Sequence, residues 1–372
     1  MKILFLTHTF DNGGVEKNTF QLISTFKKVS SEPIDIRVIS LIGGGSFFDP
    51  SFCKILMPFN LPIQKMRKSK ILLYLIVLFF SPLLLWKLKK EIKNFSPDSI
   101  CTNMWLSDIM AAAATKRIRI ISIQHDIVKI NPIITYFKIR ALKHVEKVIA
   151  ISYTVKDFLI KYFKVSENKI EIIYNGIDYD KFLAGQKENT NQPLVFGTIA
   201  RLDKIKGHIH VLEALKILKQ QNITPKYIIV GSGPEENILH TFVKENNLTN
   251  VQFIKEVLDV VPLLKEIDVF IFPSLSEGLG IAVIEALIAK KLIIASDIGA
   301  MQELIKNNET GLLIDPQNTQ EWSKAIEWAI NNQDKVNIIR DNSYEWIKQN
   351  KNDFNTINSA HKYLDVFLNP KK

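Results

Sequence analysis

The stretch Ser274–Ser296, SLSEGLGIAVIEALIAKKLIIAS, holds a turn with Gly278 and Gly280, a helical pattern, and an apolar strand. The apolar run Val269–Phe272 precedes it. That succession predicts two parallel strands joined by a crossover helix, the unit of an α/β sheet. Two carboxylates, Glu277 and Glu285, stand eight apart. The first falls on the turn and the second one to two turns inside the helix, so both can face one ligand at the strand's carboxyl end. Backbone N–H groups of Gly278, Leu279 and Gly280 at a helix N-terminus suit a phosphate. A carboxylate further along accepts hydrogen bonds only, and suits a pair of sugar hydroxyls. Taken alone, Glu285 could equally pair with a nearby lysine.

Working outward, the same alternation fills the chain. In the second half, strands are predicted at Leu194–Ala200, Lys226–Val230, Val251–Phe253 and Leu292–Ala295, and after Trp322 the chain reads as helical. In the first half they fall at Lys2–Thr7, Asp35–Leu41, Ser99–Thr102, Ile118–Gln124, Lys147–Ile151 and Ile170–Tyr174, with a helix from Glu16 to Val29. The aperiodic polar stretch Asp180–Pro193 is the natural linker. The expected domains are 1–184, a linker at 185–192, and 193–345, with a terminal helix over 346–372 that could cross back to the first domain. Two domains suit 372 residues.

Two loops of the second half carry further candidate groups. Strand Leu194–Ala200 ends at Arg201, and Lys206 and Gly207 precede the next helix. Two cations five apart on one loop can converge on a diphosphate, Arg as a fork and Lys as a point charge. In VGSGPE (Val230–Glu235), Gly231 and Gly233 would allow close backbone approach to a ligand.

Composition narrows the class. Cys53 and Cys101 lie in unrelated contexts, which suggests neither a disulfide framework nor a zinc site and favours a cytoplasmic home. The N-terminal run is too short for a secretory segment and reads as a buried strand. Residues 1–184 carry 27 Lys and Arg against 15 Asp and Glu, whereas residues 185–372 carry 21 against 23. A basic N-terminal half suggests an anionic partner, nucleic acid or lipid headgroups, or simply a solvated basic surface. Nucleic acid is disfavoured, because no basic-aromatic interleaving or binding module is present.

Ile71–Trp86, ILLYLIVLFFSPLLLW, is uncharged for 16 residues and is flanked by Lys65, Arg67, Lys68 and Lys70, then by Lys87, Lys89, Lys90 and Lys93. It falls short of the ~20 residues of a spanning helix and contains Pro82. Two readings stand: an in-plane membrane contact at the inner face, or a helix packed on the first domain's sheet.

Together the motifs resemble family 4 of the retaining glycosyltransferases. EGLGIAVIEA resembles that family's E-x7-E motif, ARLDKIKG its Arg/Lys diphosphate loop, and VGSGPE the following strand-turn. GGVE (Gly13–Glu16), IAISYTVKDFL and NGIDYDKF complete six matches in the expected order. The resemblance implies the GT-B fold, two Rossmann-like doubly wound α/β domains facing a central cleft. It implies that Arg201 and Lys206 hold the donor diphosphate, Glu285 the ribose hydroxyls, and Glu277 with Gly278 and Gly280 the transferring sugar and its phosphate. His125, in SIQHD, matches the family's histidine near the reacting sugar; Gly13 and Gly14 would let the first loop approach the donor phosphates or the acceptor.

The implied activity is transfer of a hexosyl-type sugar, with retention, from a nucleotide-diphosphate sugar to a saccharide acceptor of a surface polysaccharide pathway (lipopolysaccharide, O-antigen or capsule), expected to be lipid-linked. No cofactor and no metal are expected, since fixed cations can stabilise the leaving diphosphate. The DYD of Asp178–Asp180 resembles a metal motif but lies in the family's structural loop NGIDYDKF, and His208 and His210 are too close in sequence to share a helix face. Alternatives are a nucleotide-sugar epimerase of the same architecture and a non-catalytic scaffold. The Gly-Gly after the first strand is no dinucleotide fingerprint.

Overall fold

The computed structural model describes residues 1–10, 14–44, 53–57, 70–186, 193–255 and 257–369, with the side chains of 9, 10, 44, 70–75 and 77 left aside. The chain divides into two compact units, Met1–Gly176 with Thr356–Lys372, and Ile177–Asn355.

In the first unit the described strands are β1 (Lys2–Phe10), β2 (Asp35–Gly44), β3 (Cys53–Ile55), β4 (Ser99–Asn103), β5 (Arg119–Gln124), β6 (Lys147–Ala150) and β7 (Ile170–Ile172). They form one parallel sheet in the order β3-β2-β1-β4-β5-β6-β7. The second unit holds β8 (Phe196–Ile199), β9 (Tyr227–Val230), β10 (Val251–Ile254), β11 (Val269–Phe272), β12 (Leu292–Ser296) and β13 (Leu312–Ile314), in the parallel order β10-β9-β8-β11-β12-β13. Each order reverses direction once, beside β1 and β4 in one sheet and beside β8 and β11 in the other. Ligands of doubly wound sheets bind at that reversal, outside the strands' carboxyl ends.

The central strands are legible because both their faces are covered. Every residue of β9, β11 and β12 is buried, so each reads as an unbroken apolar run. The two strands absent from the expectation, β3 and β13, have three residues each and lie at sheet edges. Runs that short carry no periodicity.

The unit boundary differs from the expected 184. Tyr179 and Phe182 of NGIDYDKF are buried, and Ile177 N donates to Phe354 O at 2.7 Å. The boundary therefore falls inside the motif, after Gly176, and the polar stretch expected as a linker is not the crossover; its residues 187–192 lie outside the described ones. The outgoing and returning chains pass side by side. A Cβ on Gly176 would sit 2.4 Å from Thr356 Cα. The returning helix, Thr356–Leu368, packs in the first unit, where Phe367 meets Phe5 and Phe26. The crossing back falls at Asn355/Thr356, within the residues expected as one terminal helix.

Residues 71–86 belong to one helix, Lys70–Phe95, with Pro82 inside it. Among the described residues no helix is long and apolar enough to cross a membrane. The flanking Lys65, Arg67 and Lys68 lie outside the described residues.

Candidate functional site

The reversal of the second sheet brings together the loops after β8 and β11. Beyond β8 the chain passes Arg201 and Leu202, makes a short 3-10 turn at Lys204–Lys206, and closes it with Gly207 at φ +66°. A Cβ at Gly207 would fall 2.0 Å from Pro273 O, so only glycine lets the two loops touch. Leu275 N then donates to Ile205 O at 2.8 Å.

That contact sets the charged groups. Lys206 Nζ donates to Glu277 Oε1 in an ion pair that also lies 5.7 Å from the Phe272 ring centroid. Both are largely sheltered, with side chains 23% and 13% exposed, whereas the Arg201 guanidinium is 41% exposed and 3.7 Å from Asp203. The cluster thus offers a sheltered cation held by a carboxylate and a second cation open to solvent.

The glycines divide by role. Gly280, at φ +84°, caps helix Ile281–Ile288, and its Cβ would meet Met301 Cε at 2.3 Å. Leu279 is 2% exposed, so its side chain belongs to the core and leaves only its backbone as a candidate ligand group. Glu285 is the helix's fifth residue, half-buried, one turn beyond Ile281. Gly231 and Gly233 have a different geometry from the expected one. Their Cβ atoms would lie 2.1 Å from Ala200 O and 2.2 Å from Leu202 O. Glycine is required there to lace the β9 loop to the Arg201 loop, through Leu202 N to Ser232 O and Glu235 N to Leu202 O, each 2.9 Å.

His208, at the start of the next helix, also belongs to this loop cluster. Its Nε2 lies 3.0 Å from Arg201 O, and a carbonyl only accepts, so Nε2 carries the proton. Burial, with Lys206 nearby, lowers its pKa to about 4, which keeps the ring neutral. It holds the Arg201 loop through that carbonyl. Nothing in the sequence separates this from an ordinary helix-start histidine. Ser274, two residues past β11, and Ser296, the last residue of β12, carry no such signal either; their buried hydroxyls have no partner among the described residues. In the DYD of the loop NGIDYDKF, Asp178 caps helix Tyr179–Leu183 and Asp180 meets Lys351 at 3.4 Å.

The first unit has its own cluster. His125 directly follows β5, and both of its ring nitrogens are buried with no partner among the described residues. Burial lowers its pKa to about 4. Burying an imidazole with neither nitrogen paired costs stability unless a ligand or water completes its hydrogen bonds. It lines a small pocket with Thr19, Asn175 and Tyr363. In the same unit Asp108, fully buried, accepts from Thr102 and Ser122 at 2.6 Å and from Gln124, the residue before His125, at 3.0 Å. Lys138 Nζ donates to Gln124 Oε1 at 2.7 Å. Gly14 opens the first helix with open space at its Cβ position, and Gly13 lies outside the described residues.

Comparison with known proteins finds two family models. Residues 12–181 match Glycosyltransferase Family 4 and residues 180–346 match Glycosyl transferases group 1. The chain is 26% identical to the Escherichia coli UDP-Gal:alpha-D-GlcNAc-diphosphoundecaprenol alpha-1,3-galactosyltransferase, over 95% of this chain and 93% of that one. It is 29% identical to the Salmonella typhimurium O-antigen chain mannosyltransferase RfbU over 50% of this chain and 52% of that one. Anabaena HepE, solved in complex with UDP-glucose, shares the fold with a TM-score of 0.78 at 20% identity, covering 99% of each chain.

Proposed function

The chain belongs to the family 4 glycosyltransferases of GT-B fold, and from that premise we propose that it transfers a hexosyl sugar, with retention and without a metal, from a nucleoside-diphosphate sugar to a lipid-linked saccharide in surface polysaccharide synthesis. The observation that carries this reading is the Lys206–Glu277 pair, its lysine on the same loop as the exposed Arg201, at the reversal of the second sheet.

As the bond from sugar to phosphate breaks, negative charge gathers on the leaving diphosphate. Arg201 and Lys206 bind those oxygens, with the backbone N–H groups at the start of helix Ile281–Ile288 aimed at the same charge. Glu277 orients Lys206 and contacts the sugar being transferred, while Glu285 accepts from the ribose hydroxyls. His125, neutral at physiological pH, offers a ring nitrogen to the reacting sugar. Attack on the face the diphosphate leaves, with that phosphate taking the acceptor's proton, retains configuration. The acceptor part of the proposal is supported by the basic first half, by the apolar Ile71–Trp86 segment, read as a peripheral contact with the inner face of the membrane, and by the substrate in the E. coli relative's name.

A thermal-shift panel with UDP, GDP, ADP and CDP in chelator tests the donor site, since a ligand of the folded state raises the midpoint. One base is expected to give a clear shift, and Arg201→Ala to weaken its binding by about 10- to 100-fold, the worth of a charge-assisted hydrogen bond. No shift with any nucleotide would overturn the reading. The anomer of the product, read by NMR, tests retention.

A further inference from the structure

We propose that the first unit docks on an anionic bilayer through two helices, Lys70–Phe95 and Pro132–His144, at the edge of its sheet that carries His125. This rests on the membrane contact proposed above, and adds to it a second helix and an orientation.

Helix Lys70–Phe95 has two unlike faces. Leu84, Leu88, Ile92 and Phe95 are buried at intervals of three or four. Leu78, Phe79, Leu83 and Trp86 point away from that side, 70%, 78%, 37% and 60% exposed. Lys89, Lys90 and Lys93 continue the outer surface, with Lys90 Nζ 5.7 Å from the Trp86 ring centroid. The helix's one acid, Glu91, is buried and held by Lys54 at 2.7 Å and Arg37 at 3.5 Å. The outer face is therefore apolar and then cationic, with no exposed acid among its described side chains.

Helix Pro132–His144 repeats the arrangement. Its inner face is pinned by Lys138, which donates to Gln124, the residue before His125. Its outer face shows Ile133, Tyr136 and Phe137, at 69%, 56% and 51%, followed by the exposed Arg140 and Lys143. The helix contains no acid. Monomeric proteins rarely leave such aromatic and aliphatic groups together without a partner.

Topology places the two apolar faces at one edge. Phe95 ends its helix four residues before β4 begins, at the sheet's amino edge. At ~1.5 Å per residue Phe79 lies about 24 Å from that end, past the roughly 17 Å that the five residues of β4 span. Helix Pro132–His144 begins shortly after β5 ends, so its first turns lie at the same carboxyl edge. Helix Trp105–Ala114 packs against both. A second copy of the chain is a poor occupant, because twofold pairing sets each cationic face against itself. An anionic leaflet takes both the apolar groups and the cations.

The test is co-sedimentation of the full chain with vesicles of phosphatidylcholine, with or without phosphatidylglycerol. Binding is expected only with the anionic lipid. Tyr136→Ser with Phe137→Ser, and separately Phe79→Ser with Leu83→Ser, are each expected to weaken it by at least about tenfold. Arg140→Ser and Lys143→Ser are expected to cost about fivefold each, the worth of one basic residue near a charged leaflet. All these side chains face outward, so the nucleotide-induced thermal shift stays intact and reports the donor site separately. Equal binding to neutral vesicles, no binding by the unaltered chain, or no effect of the Pro132–His144 variants would overturn the proposal. So would equal displacement of the chain from vesicles by a single-stranded oligonucleotide.

Discussion

Lys206 and Glu277, 71 residues apart in sequence, form an ion pair across two loops that meet at the reversal of the second sheet. Neither is a loose surface charge. A cation already oriented by a carboxylate needs little rearrangement when charge develops on a leaving phosphate, which is the condition for efficient electrostatic stabilisation.

Lys206→Ala is accordingly expected to lower kcat by about 100- to 1000-fold, the usual cost of deleting one fixed donor to a developing charge. Glu277→Gln should lower kcat less, since Lys206 keeps a hydrogen-bonding neighbour. Steady-state kinetics with the nucleotide sugar identified by the thermal panel decide it; equal kcat in Lys206→Ala and the unaltered enzyme would place the charge stabilisation elsewhere.

Gly233→Ala tests the lacing of the β9 loop to the Arg201 loop. Its new methyl would lie 2.2 Å from Leu202 O and 2.6 Å from Leu202 C, both backbone atoms that cannot swing aside. The expected result is a loss of about 1–3 kcal/mol in urea denaturation, as for other overpacked sites, together with weaker nucleotide binding. A stable variant that binds normally would show that the loops can separate without cost.

Stability should fall as pH is lowered from 6.5 to 4. His8, His125 and His208 are each lowered from 6.5 to about 4 by burial, His208 also by Lys206. Between those values the unfolded chain binds protons that the folded one refuses, so the contribution is complete above pH 6.5 and lost through the folded pKa. Each ring is worth up to about 3 kcal/mol over that window. Urea midpoints measured across it check the slope, and His208→Gln is expected to flatten it; a midpoint independent of pH would mean that the rings protonate in place.

Much of this molecule was readable in advance, and for one reason. Strands buried on both faces are written as unbroken apolar runs, such as Val269–Phe272 and Leu292–Ser296, and turns between them as glycines and charges. The order of those elements, the α/β class and the loops that carry Arg201, Lys206, Glu277 and Glu285 are all local properties of the chain.

What the tertiary structure alone decided are relations between residues far apart in sequence. The pairing of Lys206 with Glu277, the burial of His208 under Arg201, and the turning of Gly231 and Gly233 toward Ala200 and Leu202 depend on which loops abut. The crossover at Gly176 and Thr356 depends on where two passing chains leave room for no side chain. The segment Ile71–Trp86 makes the distinction plainest. Its hydrophobicity was evident from composition, but its outward face was not, because both faces of that helix are apolar and only packing selects which is buried.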